Sequence, residues 1–225
     1  MKKSNILLII TLSIVCICLI TVNIKLSMEY KKGNIQSVIK KEMLPIFHHI
    51  KELNNSKNVD YTYKPYINIY ERKDTNAIAY NFYNPIGFHY FVKNDTLYLK
   101  ADSSFDGGIP AISIYCKNLK SLITSNSTVT LYNYKTDSIY LESNKYASIN
   151  AIELNSKSIK LKAQDNSTLT VSAADTIDKG EISALNNATI KMNNLYFKER
   201  LLSIDSSASL TVTGKTLKAL NKVQF

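Results

Sequence analysis

The residues with the clearest potential for metal chemistry lie in the loop DSSFDGGI, where Asp102, Ser104, Asp106 and Gly107 follow the spacing of a calcium-binding loop. Such a loop closes with a bidentate acidic residue, but Ser113 occupies that position here. Helices normally flank the loop, and the surrounding sequence predicts none. The spacing therefore indicates a plain turn.

Histidine and cysteine offer little for a metal site or a nucleophile. His48 and His49 are adjacent, so on a helix they would point about 100° apart and chelate poorly. Cys16 and Cys18 lie in an apolar run and Cys116 is alone in the rest of the chain, which excludes a disulfide within the following domain. We predict no metal and no cofactor.

The N-terminal segment predicts a membrane anchor. Lys2 and Lys3 precede the uncharged run 6–24, which as a helix at about 1.5 Å per residue spans a bilayer core. A cleaved signal peptide is the alternative, but the apolar run is long and no small-residue cleavage site is evident. We expect residues 1–30 to form a single-pass anchor in the bacterial cytoplasmic membrane, with the following domain exported to the periplasmic or cell-surface side.

Residues 31–56 are predicted to form a helical stalk or cap. Their apolar residues recur at broadly helical spacing, and Pro45 is expected to kink or split the helix. From residue 57 onward the pattern changes to period two, which is typical of strands.

The second half of the chain repeats one phrase about every twenty residues. Aligning the copies on the apolar residue after a turn gives Val129, Ile149, Leu169, Ile190 and Leu210, at steps of 20, 20, 21 and 20 residues. A second apolar column lies two residues later: Leu131, Ala151, Val171, Met192 and Val212. A third begins with Ser121 and continues through Leu141, Leu161, Ile182 and Leu202, and the column two residues beyond it begins with Ile123.

A repeat of this length suits one coil of a parallel β-helix. No copy can bury its apolar side alone, so each stacks about 4.8 Å above the last and fills a continuous interior. An antiparallel sandwich is the alternative, but antiparallel pairing gives no reason for equal steps. The predicted fold class is all-β: a single β-helix over residues 57–225, preceded by the membrane helix and the short helical segment.

The strand order also resembles a known family. The phrase Asn94 to Lys100, the phrase Asn118 to Val129 and the stacked coils that follow resemble the bacterial auto-transporter adhesin, head GIN domain family, over roughly residues 60–215. That resemblance implies a right-handed parallel β-helix on the cell envelope with an adhesin-like role. It brings no catalytic residues, and the turns of this chain often carry Asn, Ser or Ala where such families have glycine.

Composition narrows the function. The net charge of +10 comes from lysines scattered along the chain, so we predict no nucleic-acid partner. β-Helix polysaccharide enzymes need clustered carboxylates, whereas the aligned outward positions carry Thr, Ser, Asn and Lys. We therefore predict a non-enzymatic, adhesin-like or macromolecule-binding scaffold. The alternatives are a carbohydrate-active enzyme and a structural spacer without a ligand.

Two sets of residues are candidate contact or modification sites. Exposed aromatic side chains suit a glycan or an envelope protein, and the candidates are Tyr61, Tyr63, Tyr66, Tyr70 and Tyr83. Three Asp-Ser/Thr-apolar triplets resemble an O-glycosylation signal at Thr96, Ser138 and Thr176. Plain strand structure is the favoured explanation of the tyrosines, and turn-to-strand entry produces the triplets by itself.

Overall fold

The chain contains an N-terminal helix and a separate β-solenoid. The computed structural model describes residues 3–31, 39–53, 64–72, 74–81, 88–101, 111–173, 175–214 and 216. Contacts divide the chain into one compact unit at 1–38 and another at 39–225. The solenoid has about five turns, so the predicted fold class is confirmed.

The helix α1 (Lys3–Lys31) has the properties of a membrane span. Its segment Ile10–Glu29 is long and apolar enough to cross a bilayer. The polar side chains bond within the helix: Thr21 Oγ1 donates to the carbonyl oxygens of Ile17 and Cys18, and Asn23 Nδ2 donates to that of Leu19. A lipid-facing helix needs such internal bonds because hydrocarbon offers no partners.

Sixteen strands in the described residues make up the solenoid. They are β1 (Ile39–Leu44), β2 (His49–Leu53), β3 (Tyr66–Glu71), β4 (Asn76–Asn81), β5 (Phe88–Lys93), β6 (Thr96–Ala101), β7 (Ala111–Cys116), β8 (Ser121–Thr124), β9 (Thr128–Tyr132), β10 (Lys135–Ser143), β11 (Ser148–Ala163), β12 (Thr168–Ala173), β13 (Thr176–Ala184), β14 (Thr189–Asn193), β15 (Tyr196–Ile204) and β16 (Ser209–Thr213). We call β1-β4-β7-β3-β9-β11-β12-β14-β16 sheet A and β5-β6-β2-β8-β10-β11-β13-β15 sheet B. The long strand β11 belongs to both.

The predicted stacking of the repeats is confirmed. Ile149 pairs in parallel with Val129 on one side and with Leu169 on the other, and the column continues through Ile190 to Leu210. The second column pairs in the same way, and its members are buried except for Val212 of the last described strand, which is half-buried. Each apolar side chain thus rests on its equivalent in the previous coil, which builds one continuous core.

The beginning of the third column was predicted one residue too early. Leu141 pairs with Leu122, which is 1 % exposed, and Ser143 pairs with Thr124. Ser121 and Ile123 therefore lie on the outer side, contrary to the prediction. The step from Leu122 to Leu141 is one residue shorter than the repeat, and only the strand register reveals it.

The predicted helix over residues 31–56 is wrong for residues 39–53, which the structure describes. They form β1 and β2, and β2 pairs in parallel with both β6 and β8. Ile50 and the acidic Glu52 both point inward from β2. The carboxylate at an inward position conceals the period-two pattern of this strand. The solenoid consequently begins before residue 57.

The first coils are not stacked in sequence order. In sheet A, β3 lies between β7 and β9, and in sheet B, β2 lies between β6 and β8. Each of β2 and β3 is thus inserted between two strands that come later in the chain. We call β2 and β3 the inserted strands.

The segment between β7 and β8 passes the inserted strands, and the buried Tyr134 holds it in place. The Tyr134 hydroxyl donates to the Cys116 carbonyl oxygen at 3.0 Å and accepts from the Leu119 amide at 2.8 Å. All three residues are fully buried, so these bonds satisfy backbone groups that water does not reach. Burial raises the pKa of the Cys116 thiol to about 12, against the opposing hydrogen bond from Tyr134.

The N-terminal end of the stack is closed by antiparallel strands: β1 pairs with β4, β4 with β7, and β5 with β6. Glu42 on β1 joins the two sheets there, because its carboxylate accepts hydrogen bonds from Tyr80 on β4 and Tyr90 on β5. Its hydrogen bonds with Lys40, at 2.5 Å, and with Tyr90 lower the pKa of Glu42 to about 2.

Candidate binding face

The outward side of the seven parallel strands of sheet A carries little charge, and Lys41 of β1 and Arg72 after β3 lie at its Tyr115 edge. Seven parallel strands present three outward positions each, and Lys191 is the one charged residue among them. We call this surface face A; its outward residues are Ala111, Ser113, Tyr115, Tyr66, Asn68, Tyr70, Thr128, Thr130, Tyr132, Ser148, Asn150, Ile152, Thr168, Thr170, Ser172, Thr189, Lys191, Asn193, Ser209, Thr211 and Thr213.

Sheet B contrasts with face A because ion pairs connect its successive coils. Lys162 lies 3.1 Å from Glu142, and Lys160 lies 2.5 Å from Glu181. Three more pairs join residues about one coil apart: Lys157 with Asp137, Lys198 with Asp178, and Lys179 with Glu199. Exposed pairs of this kind add little stability each, but they make the two surfaces chemically different. Depletion of charge together with enrichment of tyrosine is the composition expected at the centre of a binding interface.

Three tyrosines form a ladder across face A, which we call the tyrosine ladder. Tyr70 stacks on Tyr115 at 5.5 Å and on Tyr132 at 5.1 Å between ring centroids, with interplanar angles of 23° and 7°. Burial, followed by the neighbouring Tyr132 and Tyr115, raises the pKa of Tyr70. Arg72 and Lys41 lie 5.0 and 5.2 Å from the Tyr115 ring centroid. Both faces of the Tyr70 ring are therefore occupied, and a ligand would meet ring edges and hydroxyls there.

An open groove of about 420 Å³ lies beside the tyrosine ladder. Tyr70, Glu71, Tyr132 and Asn133 line it. One oxygen of the Glu71 carboxylate accepts from the Lys135 amide at 3.1 Å, which fixes the carboxylate at the groove wall. The groove thus combines aromatic surface with an acceptor and an amide, the mixture that orients small polar ligands.

The opposite margin of face A, where its strands begin, also carries exposed tyrosines. Tyr66 opens β3 and is 50 % exposed, and Tyr146 lies two residues before β11 and is 43 % exposed. Lys64 Nζ donates to the Tyr146 carbonyl oxygen, so the segments leading into β3 and β11 are in contact.

Tyr146 has an unusual backbone. Its φ is 64° and that of Lys145 is 46°, both in the left-handed region. Two equivalent turns with left-handed pairs use Asp165-Asn166 and Asn186-Asn187, residue types that tolerate this conformation. A bulky side chain at such a φ is strained, and strain of this kind concentrates at functional positions.

The predicted contact tyrosines divide into two groups. Tyr66 and Tyr70 both lie on face A, on the same strand. Tyr61, Tyr63 and Tyr83 lie outside the described residues, as does the loop from Asp102 to Gly107. Sequence reasoning missed Tyr132 and Tyr146. The signal for Tyr146 was available, since it is the departure from the Asn and Ser residues at the equivalent turns.

The three predicted glycosylation residues lie far apart along the fold. Thr96 begins β6 after a tight turn, and its hydroxyl donates to the Asn94 carbonyl oxygen at 3.3 Å. Ser138 and Thr176 are exposed on β10 and β13. Their modification stays a prediction.

A serine–histidine–aspartate group, which the sequence did not suggest, lies on the outside of sheet B. Ser121 Oγ is 2.7 Å from His49 Nδ1, and His49 Nε2 is 3.9 Å from the Asp95 carboxylate. An acyl-transfer site also needs free backbone N–H groups for the oxyanion. The N–H groups of His48 and His49 donate to the Asp95 carbonyl oxygen, and those of Lys120 and Ser121 donate to that of His48.

The histidine cluster is therefore best explained as a structural contact. His48 Nδ1 lies 2.8 and 2.9 Å from the two Asp95 carboxylate oxygens, which ties the β5–β6 turn to β2. Within the part of the chain that the structure describes, no group of three or more metal-ligating side chains is found.

No protein family and no curated protein matches this chain by sequence. Its fold is similar to a candidate adhesin from Bacteroides fragilis, at 14 % identity and a TM-score of 0.42 over 80 % of this chain and 98 % of that one. A candidate adhesin from Parabacteroides distasonis is 10 % identical, with a TM-score of 0.34 over 78 % of this chain and 96 % of that one. A candidate cell adhesion protein from Clostridium sporogenes is 12 % identical, with a TM-score of 0.28 over 77 % of this chain and 97 % of that one. At these values the likenesses carry no argument about function, and the GIN resemblance stays a prediction.

Proposed function

We propose that this chain is a non-enzymatic, membrane-anchored module of the bacterial envelope that binds a macromolecule, in the manner of an adhesin, through face A. The observation that carries the proposal is the chemical difference between the two sheets. Charged side chains cover sheet B and are almost absent from face A, where tyrosines lie at both margins. A chain with 46 charged residues (28 basic plus 18 acidic) has no shortage of them, so their absence from one broad surface needs a reason.

The apolar helix supports the anchoring part of the proposal. It ends near the domain boundary at residue 38, and its exposed apolar side chains would be costly in water. Anchoring by this helix with export of the solenoid would place face A on the periplasmic or cell-surface side. The rigid stack of coils suits a scaffold, because each coil is held by its neighbours on both sides.

Adhesion of vesicles that carry the full chain tests this function. The vesicles are applied to surfaces coated with neutral polysaccharides, anionic polysaccharides or envelope proteins. The double variant Thr130→Lys/Thr170→Lys puts two charges on face A, and Ser138→Lys/Ser203→Lys puts two on exposed positions of sheet B. We expect adhesion to at least one coating, lost in the first variant and retained in the second. Equal adhesion of the two variants refutes a role for face A. Failure to adhere to any coating refutes the binding function and favours the structural spacer without a ligand.

A further inference from the structure

The chemistry of face A narrows the class of ligand, on the condition that the proposed function holds. We propose that face A binds an extended segment of a neutral polysaccharide along a strip bounded by Tyr66 and Tyr146 at one margin and by Tyr70 and Tyr132 at the other. Between the margins lie Asn68, Thr130 and Asn150, which pair in register on three neighbouring strands. We call these three residues the polar strip.

The polar strip repeats the same kind of group at a regular interval. Its amide and hydroxyl side chains follow one another at the spacing of parallel strands, about 4.8 Å. Each can both donate and accept a hydrogen bond. A polysaccharide presents hydroxyls that repeat along its length, so successive sugars can meet successive strands.

The margin formed by Tyr66 and Tyr146 suits the apolar side of a sugar ring, whereas both faces of the Tyr70 ring at the other margin are occupied by its neighbours. Tyr66 and Tyr70 are four residues apart on β3, so the strip between the margins is about 13 Å wide at 3.3 Å per residue. About half of the Tyr66 and Tyr146 side chains is open to solvent. Tyrosine offers an apolar body with a polar tip, which matches a sugar's apolar C–H face and hydroxyl edge.

The groove beside Tyr70 and Tyr132 adds polar groups along that margin of the strip. Its volume of about 420 Å³ is within the range of small-ligand sites, and the Glu71 carboxylate and the Asn133 amide can orient a sugar's hydroxyls. The low charge of face A decides the type of polymer. An anionic polysaccharide needs a row of cations, whereas the described cations on face A are Lys191 and, at its Tyr115 edge, Lys41 and Arg72, which form no row along the polar strip.

The strained turn is an independent argument for a ligand at this margin. Asparagine would relieve the backbone at residue 146, as it does in two equivalent turns, yet a tyrosine is present. Tyrosine at position 146 lowers stability where asparagine would raise it, and such a loss of stability is typical of functional positions. A purely structural tyrosine would lose stability, not only binding, when replaced by asparagine.

The test uses the full chain in detergent micelles and immobilised neutral polysaccharides: glucan, mannan, galactan and a polymer of N-acetylglucosamine. Dextran sulfate is the anionic probe. The variant Tyr146→Asn is compared with Tyr196→Asn, a control on sheet B with the same 43 % exposure. We expect retention on at least one neutral polymer, about tenfold weaker in Tyr146→Asn and unchanged in Tyr196→Asn, with the midpoint of thermal unfolding of Tyr146→Asn equal to or above that of the wild type.

Three outcomes would overturn the inference: retention on dextran sulfate alone, neutral binding that Tyr146→Asn leaves intact, or a Tyr146→Asn protein that loses binding and stability together. Binding of an envelope protein that depends on face A, without any neutral polysaccharide, would overturn the glycan class and leave the proposed function standing. Binding that survives Thr130→Lys/Thr170→Lys would refute both the neutral-polysaccharide inference and the proposed role of face A.

Discussion

Replacing Glu52 tests whether one buried carboxylate holds the inserted strands in place. Glu52 lies on β2 and is 7 % exposed. Its Oε2 accepts from Thr124 Oγ1 at 2.5 Å, from the Ser125 amide at 2.9 Å and from the Asn126 amide at 3.1 Å. Its Oε1 accepts from Ser127 Oγ at 2.8 Å. The carboxylate thus ties β2 to the whole turn between β8 and β9.

The variant Glu52→Gln keeps the shape and removes the charge. Three hydrogen bonds to Oε2 would become bonds to a neutral amide oxygen, at a loss of about 1 kcal/mol each. A neutral group is easier to bury, which offsets about 1 kcal/mol. We therefore expect Glu52→Gln to lower the free energy of unfolding by about 2 kcal/mol. Glu52→Ala removes the acceptor altogether and should cost about 4 kcal/mol.

Urea unfolding of the full chain in detergent, followed by far-ultraviolet circular dichroism, measures both changes. The matched control is Glu199→Gln, because Glu199 is 74 % exposed and lies 3.9 Å from Lys179. That control should change the free energy of unfolding by less than about 0.5 kcal/mol. If Glu52→Gln behaves like the control, the carboxylate does not hold the inserted strands and the argument fails.

Two further predictions concern titrating groups. The pKa of Glu42 is lowered to about 2 in the folded protein, so its stabilising contribution is present above the ordinary pKa of 4.5 and is lost as the pH falls towards 2. The urea midpoint of the wild type should fall over that pH interval, and that of Glu42→Gln should fall less. Identical pH profiles for the two proteins would contradict the role of Glu42 in joining the two sheets. Burial raises the pKa of the Cys116 thiol to about 12, so little of the thiol is ionised at pH 8 in the folded protein. Alkylation of Cys116 at pH 8, followed by mass spectrometry, should be at least about a hundredfold faster in urea than in the folded protein. Rapid labelling of the folded protein would show that the core around Cys116 opens.

The repeating coils could be predicted because each carries its own local signal. Val129, Ile149 and Leu169 are apolar at a fixed step, and parallel stacking is the arrangement that buries all of them together. The shorter step from Leu122 to Leu141 could not be predicted, because Ser121 also fits the alignment and only the backbone pairing decides between them.

The inserted strands could not be predicted for two physical reasons. Glu52 occupies an inward position, which hides the alternation that identifies a strand. The position of β2 between β6 and β8 depends on contacts between residues far apart in sequence, and no local pattern encodes them. Face A was predicted only in part for the same reason: Tyr66 and Tyr70 stood out by type, but Tyr132 joins Tyr70 only through stacking of the strands.

The insertion also has a mechanical consequence. Traction that reaches the solenoid through the residues preceding β1 first meets β1, which pairs with β4 along one edge, and next meets β2, which is hydrogen-bonded along both edges. Drawing it out requires two ladders to rupture together, whereas a terminal strand would yield by losing one. A strand paired along both edges therefore resists extraction better than a strand at the end of the stack, and this would favour the proposed role in adhesion.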